Sequence, residues 1–251
     1  MSGHSKWSTI KRKKGAADAA RGRLFTKMIK EITIAARIGG GDPDGNPRLR
    51  LAIQLAKSKN MPLDNIARAV KKGTGELEGV NYEEILYEGY GPGGVAIIID
   101  AATDNRNRTV AELRHLMSRN GGNLAESGAV SWNFERKGVI TIPKGSYSED
   151  DILNIILDAG ADDLVQEDEF FQVTSSIESF EKVRKAIEGS GLPGIKIENA
   201  SMQYIPKTTT RVEGKDAEHT VKLVAALEEN DDVQNVYNNA DIDENVIAEF
   251  S

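Results

Sequence analysis

Hydrophobic spacing changes character once along this chain, across the Gly- and Glu-rich segment 74–81. Before it, apolar residues recur every three or four positions, the period of amphipathic helices. After it, short β-branched runs alternate with helical patterns. A switch of this kind calls for a helical domain followed by α/β material, and 251 residues are enough for two or three cores.

A first helix is predicted over 16–37, with Phe25, Ile29, Ile32 and Ala36 on one stripe and Arg21, Lys27 and Lys30 pointing elsewhere. Gly39-Gly40-Gly41 stops it. The turn Asp42-Pro43-Asp44-Gly45-Asn46-Pro47 follows, with Pro47 suited to the first position of the next helix. That helix carries Leu49, Ala52, Ile53 and Ala56 on one face, with Arg48, Arg50, Lys57 and Lys59 around it. A third starts near Pro62, packs Ile66, Ala69 and Val70, and ends at Lys71-Lys72-Gly73, where cations also suit the helix dipole.

Beyond the linker, strands are predicted over 82–87 and 94–101. A helix follows, with Val110, Leu113, Leu116 and Met117 on one face, ended by Gly121-Gly122. Two short strands near 130–134 and 139–142 come next. The second opens a strand–helix–strand–strand–helix–strand series ending at 195–205, the split-βαβ order of a ferredoxin-like unit. The C-terminal helix (Val221, Val224, Ala225) and the strand 233–237 are too small for a domain of their own. The earlier strands 82–101, with one helix, lack a second covering layer. The economical arrangement is an α+β protein of three domains. These are a basic three-helix domain with linker over 1–79, a discontinuous α/β domain over 80–127 and 207–251, and an inserted ferredoxin-like domain over 128–206.

The formal net charge of -7 conceals an asymmetry. Residues 1–72 hold 17 Lys/Arg against 5 Asp/Glu, and the remainder 15 against 34. One end of the chain attracts a polyanion and the rest repels it. The helical domain is therefore the expected nucleic-acid contact, through Lys6, Lys11, Arg12, Lys13, Lys14, Arg21, Arg23, Lys27, Lys30, Arg48 and Arg50. With Lys and Arg dominant, and neither a helix-turn-helix nor an RRM-type aromatic signature in view, the expected contacts are to backbone. Trp7, in the arm Gly3-His4-Ser5-Lys6-Trp7, reads either as a base-stacking residue or as an anchor for the arm.

Several chemistries find no support. The absence of cysteine removes disulfides, thiolate metal sites and cysteine nucleophiles, and fits a reducing cytosol. The longest apolar run, 95–99, is strand-sized, so no membrane span is expected. Gly89-Tyr90-Gly91-Pro92-Gly93-Gly94 matches a dinucleotide fingerprint as a string. A strand follows it where a helix is required, and Pro92 removes an amide donor. Asp42-Asp44-Asn46 has its glycine at Gly45, inside the triplet, and Ile53 at the glutamate position of a calcium loop, while Asp241-Asp243-Asn245 has Val246 where the glycine is required. His4, His115 and His219 lie apart. The expectation is a protein that is not an enzyme and takes no metal or cofactor.

Arg106, Asn107 and Arg108 precede Thr109 and Glu112, a pair with capping-box spacing, so both arginines lie at or just before a helix start. Two readings stay open for them: a phosphate or anion site at a helix N-terminus, or pairing with nearby carboxylates such as Glu84, Glu88 or Asp104.

Gly3-His4-Ser5-Lys6-Trp7, Phe25-Thr26-Lys27, Gly39-Gly40-Gly41-Asp42-Pro43, Asn46-Pro47-Arg48-Leu49-Arg50, Tyr87-Glu88-Gly89-Tyr90-Gly91-Pro92-Gly93-Gly94 and Asp104-Asn105-Arg106-Asn107-Arg108-Thr109 closely resemble the YebC/PmpR family along the whole chain. That family includes the mitochondrial translational activator of cytochrome c oxidase. The resemblance implies the same three-domain fold and a DNA-binding transcriptional regulator, with some members described as ribosome-associated translation factors. The Lys/Arg-rich N-terminus has the character of a mitochondrial transit peptide. The family motif, however, begins at Gly3, and a cytoplasmic protein is expected. The expected partner is thus DNA, with ribosomal RNA as the alternative and protein partners for the acidic domains. A lower-ranked alternative is an enzyme that holds a phosphorylated substrate with Arg106 and Arg108.

Overall fold

The computed structural model describes residues 18–250, which divide into two compact units, 18–134 with 206–250 and 135–205. In the larger unit, α1 (Asp18–Gly39), α2 (Pro47–Ser58) and α3 (Leu63–Thr74) enclose a core that includes Ile32, Leu49, Ala56 and Ile66. The turn between α1 and α2 is set by Asn46. Its side-chain oxygen accepts from Leu49 N at 3.1 Å and caps α2, with Pro47 in the first turn. Its amide donates to Ala35 O and Gly40 O, both at 2.8 Å, which satisfies carbonyls at the end of α1. Gly40 takes a φ of 85°, where a side chain would be strained. α1 and α3 approach closely at Gly73, where a Cβ would stand 2.4 Å from Thr33 O.

The same unit contains β1 (Glu83–Tyr90), β2 (Ala96–Thr103), α4 (Arg106–Arg119) and β3 (Asn123–Ala125). After β4 (Phe134–Pro143) and the smaller unit, the chain returns with β8 (Thr210–Arg211), α7 (Gly214–Glu229), β9 (Val233–Asn238), β10 (Ala240–Asp241) and α8 (Glu244–Phe250). The sheet order is β3-β1-β2-β9, with antiparallel pairs throughout. Val95, Ile97 and Ile99 pack with Leu113 and Met117 of α4 and with Val221 and Val224 of α7. The C-terminal helix and strand thus supply the second covering layer that β1, β2 and α4 lack.

The smaller unit runs β4, α5 (Glu149–Leu157), β5 (Ala161–Gln166), β6 (Phe170–Ser175), α6 (Phe180–Glu188) and β7 (Asn199–Pro206), with sheet order β5-β6-β4-β7. This is the split-βαβ order of a ferredoxin-like fold. Its buried residues include Ile140, Ile142, Ile152, Phe170 and Val183.

Some elements differ from the sequence reading. The strands expected near 130–134 and 139–142 are one strand, β4, preceded by a tight turn at 131–133. The strand expected over 195–205 begins only at Asn199. β3, β8 and β10 have three residues or fewer, too short for a period to show. Gly89–Gly94 is a strand-to-strand turn, as its context required, with Gly93 and Gly94 at φ 67° and 76°.

Candidate nucleic-acid interface

Arg23, Lys27 and Lys30 are spaced i, i+4, i+7 and so share one face of α1. That face meets the C-terminal end of α7. Arg23 Nη2 lies 3.4 Å from Glu229 Oε1, and Lys27 Nζ donates to Glu228 O at 2.7 Å. Lys30 is only 5% exposed. Its ammonium donates to Asp231 O at 2.9 Å, Ala102 O at 3.1 Å and Asp232 Oδ1 at 2.7 Å. Cations at the carbonyl end of a helix are favoured by its dipole.

Asp232 is the hub of this contact. Beyond Lys30, it accepts from Arg108 at 2.8 Å, Thr109 Oγ1 at 2.7 Å and Thr103 Oγ1 at 3.2 Å. Burial alone pushes its carboxyl up, but the hydrogen bonds from Arg108, Lys30 and Thr109 outweigh this and hold it at about 2. Lys30 also stands 5.3 Å from the centre of the Tyr82 ring.

Arg48 makes the second large junction. It donates to both oxygens of Glu31 at 2.7 and 2.8 Å, and to Glu84 at 2.5 and 3.1 Å. Arg50 donates to Pro43 O at 3.1 Å and Asp44 O at 3.4 Å, bracing the turn ahead of α2. Arg37 donates to the Tyr82 carbonyl.

Lys27, Lys30, Arg48 and Arg50 are among the side chains expected to meet phosphate. Each is hydrogen-bonded inside the chain, and Lys30 is withdrawn from solvent. Of the other expected contacts, Arg23 makes the longer, partly exposed pair, and Arg21 is exposed. Lys6, Lys11, Arg12, Lys13 and Lys14 lie outside the described residues, as does Trp7.

Other cations remain open. Arg21, Lys57, Lys59, Arg68, Lys71 and Lys72 are exposed, and none hydrogen-bonds or ion-pairs through its side chain among the described residues. Arg68, Lys71 and Lys72 stand at i, i+3 and i+4 on α3, a spacing that marks one helix face in the sequence alone.

The start of α4 separates the two readings of Arg106–Arg108. Its N-cap is Asn105, whose side chain accepts from Arg108 N at 3.0 Å, in place of the expected Thr109. Thr109 lies one turn inside the helix and turns inward to Asp232. Arg108 pairs with Asp104 at 2.9 Å and Asp232 at 2.8 Å, which raises its guanidinium pKa. Arg108 thus joins the carboxylate network, while Arg106 and Asn107 stay exposed. Further along α4, Arg114 and Arg119 are also exposed without a partner among the described residues. The regional charge count hid them, because this helix lies in an acidic segment. Glu88, one of the carboxylates considered for these arginines, instead accepts backbone N–H groups from the loop ahead of β4. Among the described residues, no three His, Asp or Glu side chains converge as metal ligands.

The family model described as "TACO1/YebC second and third domain" matches residues 82–240. The chain belongs to the TACO1/YebC family. The family's N-terminal domain model matches residues 5–76. Among relatives, a "probable transcriptional regulatory protein" of Chlorobaculum parvum is 59% identical over 249 residues, 99% of this chain and 98% of that one. One from Desulforapulum autotrophicum is 56% identical over 246 residues, 98% of each chain. The crystal structure of a conserved hypothetical protein from Aquifex aeolicus matches with a TM-score of 0.83 at 47% identity. It covers 90% of this chain and 92% of its own. The TACO1/YebC membership agrees with the resemblance carried by the sequence motifs.

Proposed function

We propose that this protein is a nucleic-acid-binding regulator, with DNA as its target, that holds a phosphate backbone through the helical part of its larger unit. The observation that carries this reading is the separation of two populations of cations. Lys27, Lys30, Arg48 and Arg50 are hydrogen-bonded within the chain, while Arg21, Lys57, Lys59, Arg68, Lys71 and Lys72 stand exposed and open. Exposed, unpaired cations release counterions from a phosphate backbone on binding, and they carry no base readout of their own. The naming of the relatives as transcriptional regulators supports DNA over RNA. The same reading has the protein acting in the cytoplasm without catalysis, in keeping with relatives named as regulators. No described helix is long and apolar enough to cross a membrane.

The test is crosslinking in growing cells, with both the recovered DNA and the recovered RNA sequenced. The parent chain is compared with a triple Arg68→Ala, Lys71→Ala, Lys72→Ala variant. Promoter DNA that is recovered with the parent and lost with the variant is the expected result. Recovery confined to one patch of ribosomal RNA would make the protein a translation factor and overturn the DNA target. Recovery of neither nucleic acid would overturn the reading entirely.

A further inference from the structure

The loop that Glu88 organises and the adjoining end of β1 present two aromatic rings that the proposed backbone-gripping cations do not account for. The Glu88 carboxylate accepts from Gly128 N at 2.8 Å, Val130 N at 2.7 Å and Ser131 N at 2.9 Å. From the other side, Asn133 Oδ1 accepts from Thr208 N at 3.1 Å and from Thr208 Oγ1 at 2.7 Å. Within this frame a single carbonyl, that of Ala129, accepts from the Tyr90 hydroxyl at 3.0 Å and from the Trp132 indole N–H at 2.9 Å. Trp132 is nevertheless 68% exposed and Tyr90 37%.

That combination is informative. A tryptophan with a satisfied N–H is ordinarily placed to bury its ring, the largest apolar payload of any side chain. Here the Trp132 N–H and the Tyr90 hydroxyl are both tied down, while Trp132 stays mostly and Tyr90 partly exposed. The exposed residues of the same loop, Glu126, Ser127, Gly128 and Ser131, are polar or small, so the rings do not sit in the apolar patch that protein docking favours. Lys207 Nζ donates to Trp132 O at 3.1 Å, and an ammonium has three protons to give. The surface on offer is an exposed indole with an ammonium held at its own backbone carbonyl.

We propose that Tyr90 and Trp132 form a stacking platform for an unpaired nucleobase, with Lys207 placed for the adjoining phosphate. Stacking of this kind is tolerant of sequence because every base has a π face. The proposal rests on the nucleic-acid reading above and adds to it a preference for single-stranded segments, of either RNA or DNA. It predicts a contact that the helical cations cannot make and that salt does not screen.

The chain has two tryptophans, so the full-length protein carrying Trp7→Phe leaves Trp132 as the sole indole. This protein is titrated with single-stranded RNA, single-stranded DNA and duplex DNA of one length, following indole emission and affinity together. Quenching by a single strand is expected, and the tighter of the two strands names the source of the base. Trp132→Ala should weaken single-strand binding about tenfold without changing its salt dependence, while Trp132→Phe keeps most of the affinity. Circular dichroism of both variants should match the parent. Single strands that bind with unchanged emission, and bind Trp132→Ala as tightly, would overturn the platform and leave the backbone grip standing. Quenching by duplex alone, or by raising protein concentration without nucleic acid, would also overturn it. If no oligonucleotide binds at all, the nucleic-acid reading falls with it.

Discussion

The ammonium of Lys30 lies 2.7 Å from Asp232 Oδ1, and both side chains are buried. This ion pair fixes α1 against the start of β9 and is supported by two backbone carbonyls on the lysine side and by Arg108, Thr103 and Thr109 on the aspartate side. A buried charge left without its partner is strongly unfavourable, so Lys30→Met should lower unfolding stability by about 3 kcal/mol. Urea unfolding measures the effect, and a loss below ~1 kcal/mol would show that the pair is not integral to the fold.

The same network sets an acid limit. The Asp232 carboxyl stands at about 2 in the fold, against about 4 for an ordinary aspartate. Its stabilising contribution is therefore complete above the unfolded value and lost as pH falls from about 4 through about 2. The urea midpoint should fall across that window, and Asp232→Asn should make the fall shallower. An identical pH profile in the variant would remove Asp232 as its source.

Arg48 and Arg68 should behave differently. Arg48 is held by Glu31 and Glu84 in a partly exposed cluster, so Arg48→Ala is expected to cost about 1 kcal/mol of stability and leave the salt dependence of nucleic-acid binding unchanged. Arg68→Ala should leave stability unchanged and reduce the slope of log affinity against log salt by about one. If Arg48→Ala flattens the slope instead, its carboxylates give way to phosphate on binding.

Glu88 is expected to govern the order of the loop over 128–131. Burial pushes its carboxyl up, while hydrogen bonds from Gly128, Val130 and Ser131 more than reverse this and hold it below the usual range. Its contribution is present above the ordinary glutamate pKa of about 4.3 and lost as pH falls through the lower folded value. Glu88→Gln keeps the size but loses an acceptor, leaving N–H groups unpaired at about 1–3 kcal/mol. Amide exchange at those three residues should accelerate in the variant. Unchanged protection would place the ordering of the loop elsewhere.

Gly73 is the point where α3 lies closest to α1. A Cβ there would meet Thr33 O at 2.4 Å and Ala36 Cβ at 2.7 Å, and a backbone oxygen has no rotamer by which to yield. Gly73→Ala should destabilise by about 1–3 kcal/mol despite alanine's higher helix propensity. A melting temperature at or above the parent's would show that the two helices separate at little cost.

Sequence alone determined the elements whose signals are local. Helical spacing and the punctuation Gly39-Gly40-Gly41, Asn46 and Pro47 marked the end of α1 to within two residues and the start of α2 at Pro47. The run of β and α patterns marked the ferredoxin-like series. The family motifs identified the TACO1/YebC membership. The fate of each charge was not legible in the same way, because counting Lys and Arg over 72 residues treats them all as solvent-facing. Arg23, Lys27 and Lys30 do form an i, i+4, i+7 stripe, and Glu228, Glu229, Asp231 and Asp232 an acidic run. Nothing local says that these two, some 200 positions apart, meet. Tertiary packing decided that by bringing α1 across the end of α7, where carbonyls and carboxylates converge on the stripe. It likewise tied Tyr90 and Trp132 to one carbonyl, a relationship between a strand and a loop 40 residues away. Propensity and periodicity act over a few residues, so they specify elements. Which donors find acceptors depends on desolvation between segments distant in sequence, and only the folded chain specifies that.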